Sequence, residues 1–409
     1  LITRSHDVRR LLGLVLARLA SHGDRARLPA VCRAWRYGAQ QRPLLPTPLL
    51  GLALPDGAFL SLPDGATHRL FPPADFSVRL STGGKLFLHH GDGSCSLTQS
   101  PSSSSSPPAA SASDDPLADN DWHRDLLAPL ADCSAYKVLL KLVLLSGHLA
   151  AVLMKWDRVV VFITRGPPPG ALSTMEWAAP QGMSIDDIAI FKEDIYVLTA
   201  DEELLLLLVP GDEPAQITTV HRVLRRVPRD GPPRLRQAWQ WHCYNYATAD
   251  TCVHRKYLVA SGEQLMMVKR ELDVPPWGSG IEMRTRRFEV FEAADLLSDG
   301  GGGECGRWRQ VDTLTGRAIF VSQGCSVSLP GSDQCGGGVG IGQDCIYFVT
   351  DDEALSFRED PLFDSGVYDV RNRIVRPLPL PETVVAPAAC DDPLVTDLAF
   401  PGNLSQVGC

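Results

Sequence analysis

Three runs of acids and one cluster of His and Cys are the residues of this chain best suited to chemistry. Asp186-Asp187, Asp201-Glu202-Glu203 and Asp351-Asp352-Glu353 set carboxylates side by side, as acid and base catalysis on a glycoside would require. The stretch 241–257, "WHCYNYATADTCVHRKY", gathers His242, Cys243, Cys252 and His254, ligand types that hold zinc tetrahedrally. Each reading meets a local objection. The acids fall between apolar runs, where a chain of strands needs polar turns, so they read as solvated turns. Adjacent residues of a strand face opposite sides, so His242 and Cys243 do not easily share a metal, and two strands with incidental Cys and His result. The glycine-rich runs at 300–303 and 335–342 lack a following Lys-Ser/Thr, which leaves them as flexible connections. No Walker loop, Gly-x-Ser-x-Gly elbow, His-Glu-x-x-His or Cys-x-x-Cys occurs. The expectation is a non-enzymatic chain with no catalytic residue, no metal and no cofactor.

The elements that would carry such residues are strands. The stretch 52–70, "LALPDGAFLSLPDGATHRL", holds Pro-Asp-Gly twice. Pro presets the turn, Asp bonds nearby backbone and Gly accepts positive φ. A single strand at 58–62 between two such turns predicts an antiparallel meander. The segment 187–209, "DIAIFKEDIYVLTADEELLLLLV", repeats that rhythm with polar turns at "KED" and "ADEE". Weaker copies are "KYLVASGEQLMMVKRE", "QDCIYFVTDDEAL" and "SGVYDVRNRIVRPLPL". Short strands at this spacing suggest a sandwich, a barrel or a propeller. A propeller spends about 40–50 residues per blade, so the prediction is six or seven irregular blades. The most apolar window, 138–164, is cut by Lys141, Ser146-Gly147-His148 and Lys155 into pieces too short to span a bilayer as a helix. Two or three buried strands fit it better.

Bulk properties agree with a globular protein. Hydrophobic residues are 44% and charged ones 21% of 409, enough for a core. A formal charge of -9 argues against whole-protein binding to nucleic acid or an anionic membrane. Eleven cysteines without tight spacing read as reduced thiols of an intracellular protein, nuclear or cytoplasmic, rather than a disulfide framework. The segment 98–121 is rich in Ser and Pro and is expected to be a disordered insertion. The chain opens at Leu1 rather than Met, from which the expectation is a fragment whose first helix is incomplete.

Residues 7–42 differ from the rest. Leu11, Leu12, Val15, Leu16 and Leu19 share one helical face. Ser21-His22-Gly23-Asp24 stops that helix and caps the next, and Leu28, Val31, Cys32 and Trp35 resume the helical period. Two or three short helices are too small for a core of their own. That apolar face must therefore pack on a partner or on the rest of the chain.

In this segment Arg25, Arg27, Val31, Cys32, Trp35 and Arg36 occupy the pattern Arg-x-Arg-x-x-x-Val-Cys-x-x-Trp-Arg, and 11–36 resembles the F-box. The remainder resembles the KIB-type β-propeller of plant F-box proteins, through "LPDGAFLSLPDG", "STGGKLFL", "DIAIFKEDIYVLTADEEL", "TRRFEVFEAAD", "GRAIFVSQGCSVS" and "GVYDVRNRIVRPL". The resemblance implies a mainly β protein: an F-box-like helical unit at 7–42, a propeller at 44–390 and a tail at 391–409 without an assigned role. It implies the substrate-recognition subunit of a Skp–cullin–F-box ubiquitin ligase. Leu11, Leu12, Val15, Leu16, Leu19, Leu28, Val31, Cys32 and Trp35 would meet a Skp-type adaptor, and propeller loops an unidentified target, with neither nucleic acid nor membrane as a partner. The open alternatives are a propeller hydrolase or lactonase with a site in its central channel, and a degenerate F-box protein that no longer binds the adaptor.

Overall fold

The computed structural model describes residues 51–53, 58–61, 67–69, 76–82, 85–90, 94–99, 139–145, 149–155, 157–164, 172–208, 219–224, 252–273, 284–294, 296, 306–331, 341–349, 363–378 and 397–399. The F-box-like segment 7–42, with all nine of its adaptor-facing residues, lies outside them, as do 100–121 and the acids 351–353. Thr98 and Gln99, assigned above to a disordered insertion, instead end a strand opposite Leu86 and Lys85.

The described chain is a mainly β propeller. The twin-turn stretch gives β1 (Gly51–Ala53), β2 (Ala58–Ser61) and β3 (Thr67–Arg69), the expected antiparallel meander. The strand β24 (Asp397–Ala399) joins the same sheet against β1. The tail thus completes the first sheet, with Gly51 opposite Ala399. A three-stranded sheet follows, β4 (Phe76–Thr82), β5 (Lys85–His90) and β6 (Cys95–Gln99). The apolar window 138–164 becomes β7 (Leu139–Leu145), β8 (Leu149–Met154) and β9 (Arg158–Thr164), and β10 (Leu172–Ala178) completes that sheet. The next is β11 (Ile185–Phe191), β12 (Asp194–Thr199), β13 (Leu204–Leu208) and β14 (Thr219–Leu224). Then come β15 (Cys252–Ser261), β16 (Gln264–Asp273), β17 (Arg284–Ala294) and β18 (Arg307–Val311).

The final sheet breaks the pattern. Its members are β19 (Arg317–Val321), β20 (Ser326–Pro330), β21 (Cys345–Phe348), β22 (Gly366–Asp369) and β23 (Ile374–Arg376), in the order β20-β19-β21-β22-β23. The chain first turns inward from β19 to β20. It then crosses over and lays β21 parallel to β19. The glycine-rich run 335–342 falls within this crossover.

Four sheets are therefore regular four-stranded blades, and the other two hold three and five strands. This differs from the expected six or seven irregular blades. Strand spacing counts strands, but it does not register the direction in which each is added.

The sheets stand side by side around a hub. The strands β24, β4, β7, β11, β15 and β20 touch in that order. Middle strands are covered on both faces, so they read as unbroken apolar runs rather than alternating ones. In β12 every residue after Asp194 is buried. Its Ile195 and Val197 pack toward Val161 and Met175, while Tyr196 and Leu198 pack toward Leu258 and Met267. On β16, Met266 and Val268 face Ile319 and Phe348, while Leu265 and Met267 face Leu204. Each such large side chain contributes about 1.5–3 kcal/mol of burial, and each layer of side chains belongs to two sheets at once. The turn between β15 and β16 has Gly262 at φ 61, with open space around it. Backbone conformation, not packing, is what selects glycine there.

Candidate functional site

Charged residues inside the apolar inner strands define the hub. Lys141 interrupts "LLKLVLL" in β7 and is buried. Its Nζ donates to both oxygens of Asp187 on β11, each at 2.8 Å, and to Ser326 Oγ on β20 at 3.3 Å. Asp187 also accepts from the Leu258 backbone N–H of β15 at 2.6 Å and from the Ile188 N–H at 2.8 Å. One carboxylate thus receives four hydrogen bonds, about its full capacity, and one ammonium uses all three donors. Inner strands of four sheets meet through these two side chains.

The neighbouring Asp186 serves a second pair. The register of β11 shifts between Ile185 and Asp187, a bulge that re-aims a side chain, and Asp186 accepts from Lys256 Nζ at 2.7 Å. Lys256 also donates to the Ala200 carbonyl at 2.6 Å. Burial pushes both carboxyls up, against the pull of Lys256 on Asp186 and of Lys141 on Asp187. The solvated-turn reading of Asp186-Asp187 is thus corrected: both sit in an inner strand, and their apparent turn is a bulge with a lysine partner on each acid. Asp201-Glu202-Glu203 does form a turn, as expected. From it Glu202 reaches Lys269 of β16 at 2.7 Å, and its carbonyl accepts from Trp308 Nε1 at 2.8 Å.

A third assembly binds the last two sheets. Arg270 on β16 is 1% exposed. It donates to Asp364 Oδ2 at 2.8 Å, to the carbonyls of Val349 and Asp364 at 2.8 and 2.9 Å, and to Thr285 Oγ1 at 2.8 Å. Its guanidinium lies 4.7 Å from the centre of the Phe348 ring. Lys269 and Arg270 are adjacent, so β16 sends one cation to each flanking sheet.

Of the His and Cys cluster, His242 and Cys243 lie outside the described residues. His254 sits on β15 opposite Glu271, and Cys252 precedes it by two on the same strand. Among the described residues no three His, Cys, Asp or Glu side chains come together in metal-binding geometry. Sequence reasoning missed Lys141, Lys256, Lys269 and Arg270 as organising residues. The available signal was a long cation within an otherwise buried strand, which requires a buried partner.

This arrangement holds sheets together and leaves its central carboxylate no spare lone pair. It is suited to keeping a rigid scaffold in register. No curated protein sequence matches the chain. A solved S. cerevisiae assembly, a dbp5 variant bound to nup159, a gle1 variant, IP6 and ADP, shares 8% identity at a TM-score of 0.25, over 56% of this chain and 61% of that one. The match spans less than two thirds of that chain, and at that score it bears on neither fold nor function. The profile described as KIB1-4 beta-propeller matches residues 59–369, from the second strand of the twin-turn meander to the end of β22, and the chain belongs to that family.

Proposed function

We propose that this protein is a non-enzymatic substrate-recognition subunit of a Skp–cullin–F-box E3 ubiquitin ligase. The helical segment 7–42 docks a Skp-type adaptor, and the propeller presents a target protein on its loops, in the nucleus or cytoplasm. The observation that carries the non-enzymatic part is the saturated hub. A hydrolase in the central channel would need a carboxylate able to take a proton or hold a metal, and Asp187 spends its acceptors on Lys141, Leu258 and Ile188. The adaptor part is supported by the helical spacing of Leu16, Leu19, Leu28, Val31 and Trp35 in the sequence, since an apolar face on helices too short for a core of their own would mark an interface if left exposed.

The test is Leu16→Ala with Leu28→Ala, because truncating buried interface leucines costs about 2 kcal/mol or more each at hot spots. Wild type is expected to co-purify with a plant Skp-type adaptor and the double variant to lose it, with the β circular-dichroism spectrum and melting unchanged. A wild type that does not bind, together with a variant that melts earlier, assigns the helices to the propeller and overturns the ligase reading.

A further inference from the structure

We infer that the open edge of β23 is a docking strand for an extended acidic peptide segment of a partner protein. This rests on the reading that the propeller presents a bound protein, and it names the chemistry of what is bound.

Three observations meet at this edge. First, among the described residues β23 ends its five-stranded sheet, and all three of its residues are exposed. A terminal strand offers backbone donors and acceptors to another chain. Second, Ile374 is 50% and Val375 37% exposed, two of the three large exposed hydrophobics among the described residues. Third, the surroundings are rich in arginine. Arg371, Arg373 and Arg376 lie on the β22–β23 hairpin, and Arg284, Arg286 and Arg287 on β17, which touches β23. A bulge between the pairs Glu271–Arg287 and Leu272–Thr285 lets both Arg286 and Arg287 reach Glu271.

The charge is layered. Asp344 and Glu271 are buried beneath exposed Arg371, Arg286 and Arg287, and Asp369 is largely covered beneath Arg376. Arg373 is 71% exposed, with Asp312 as its exposed partner. Arg286 also pairs with the exposed Asp273 and Arg287 with Glu289, so six exposed arginines face outward against the exposed carboxylates of Asp273 and Asp312 although the chain as a whole is at -9. Each retains donors beyond those its partner uses.

The occupant follows from this chemistry. Strand addition supplies main-chain hydrogen bonds, and alternate side chains select the ligand. An acidic peptide with apolar residues at every second position meets both the arginines and Ile374 or Val375. A nucleic acid could meet the arginines but could not pair with the strand edge. A second copy of this chain would set arginine hairpin against arginine hairpin, which like charges oppose.

The experiment uses the full chain and a fluorescent probe of alternating Glu and Val, about eight residues long to match a strand. Controls are the same peptide with Lys for Glu, and a single-stranded oligonucleotide of equal charge. Fluorescence anisotropy is expected to show binding of the Glu peptide alone, weakened by salt. Ile374→Glu with Val375→Glu should weaken it about tenfold or more, with the urea midpoint unchanged, and Arg373→Glu should weaken it independently. Equal binding of both peptides, preference for the oligonucleotide, indifference to both variants, or no peptide binding would each overturn the inference. So would a dimer of the chain that Ile374→Glu with Val375→Glu dissolves. Adaptor co-purification does not depend on β23, so the two readings fail separately.

Discussion

Replacing Lys141 by methionine isolates the contribution of the hub. Its side chain is 3% exposed and that of Asp187 5%. The methionine keeps most of the aliphatic stem but leaves Asp187 buried without its cation, still held by the N–H groups of Leu258 and Ile188. Breaking a buried pair from one side costs about 3–5 kcal/mol. The loss should depend on pH, with a definite sign. Burial pushes the Asp187 carboxyl up, and removing Lys141 takes away the main opposing influence. A raised carboxyl favours folding below the unfolded pKa, and that advantage is lost as pH rises through the folded value. Urea unfolding of Lys141→Met should therefore show a larger deficit at pH 7 than at pH 5. Adding Asp187→Asn should recover part of the loss, because the amide oxygen still accepts the Leu258 N–H without a charge to solvate. Asp187→Leu in the same background should recover less, since it removes the acceptor from the N–H groups of both Leu258 and Ile188, and a buried N–H left unsatisfied costs about 1–3 kcal/mol. A deficit under about 1 kcal/mol at both pH values, or no recovery with Asn, would refute the hub.

Arg270→Lys should cost about 2–3 kcal/mol, because a lysine cannot reproduce a fork that reaches two carbonyls, a carboxylate and a hydroxyl; an unchanged urea midpoint would contradict this. For Glu271, burial pushes the carboxyl up, but the hydrogen bond and charge of Arg287 outweigh it and hold it below the usual glutamate range. A lowered carboxyl contributes stability above the unfolded pKa that is lost as pH falls through the folded one. The stability difference between wild type and Arg287→Met should thus be constant above about pH 5 and shrink below about pH 4.3. A difference that grows on acidification would contradict that assignment.

The strands were legible where their signal is local. Alternation and turn chemistry predict a strand at 58–62, two or three strands in 138–164 and a three-stranded meander over 187–209; the structure has β2 at Ala58–Ser61, three strands in that window, and β11 to β13. Long-range pairing was not legible. Lys141 read as a break in an apolar run because its partner is 46 residues away. Asp186-Asp187 read as a turn because two adjacent acids suit a turn, and only the bulge in β11 gives each its own lysine. The three residues of β24 carry little signal in sequence. Their pairing with β1, at the far end of the chain, makes them part of the first sheet. The parallel pairing of β21 with β19 was hidden for a related reason: it joins strands separated in sequence by β20 and the glycine-rich run 335–342.

The most direct test of the central claim is light scattering during size-exclusion chromatography of the purified chain with a plant Skp-type adaptor. The account predicts a one-to-one complex that forms without the propeller losing its β spectrum. A folded chain that elutes alone at adaptor concentrations of tens of micromolar, about where a weak interface would already be populated, would contradict it.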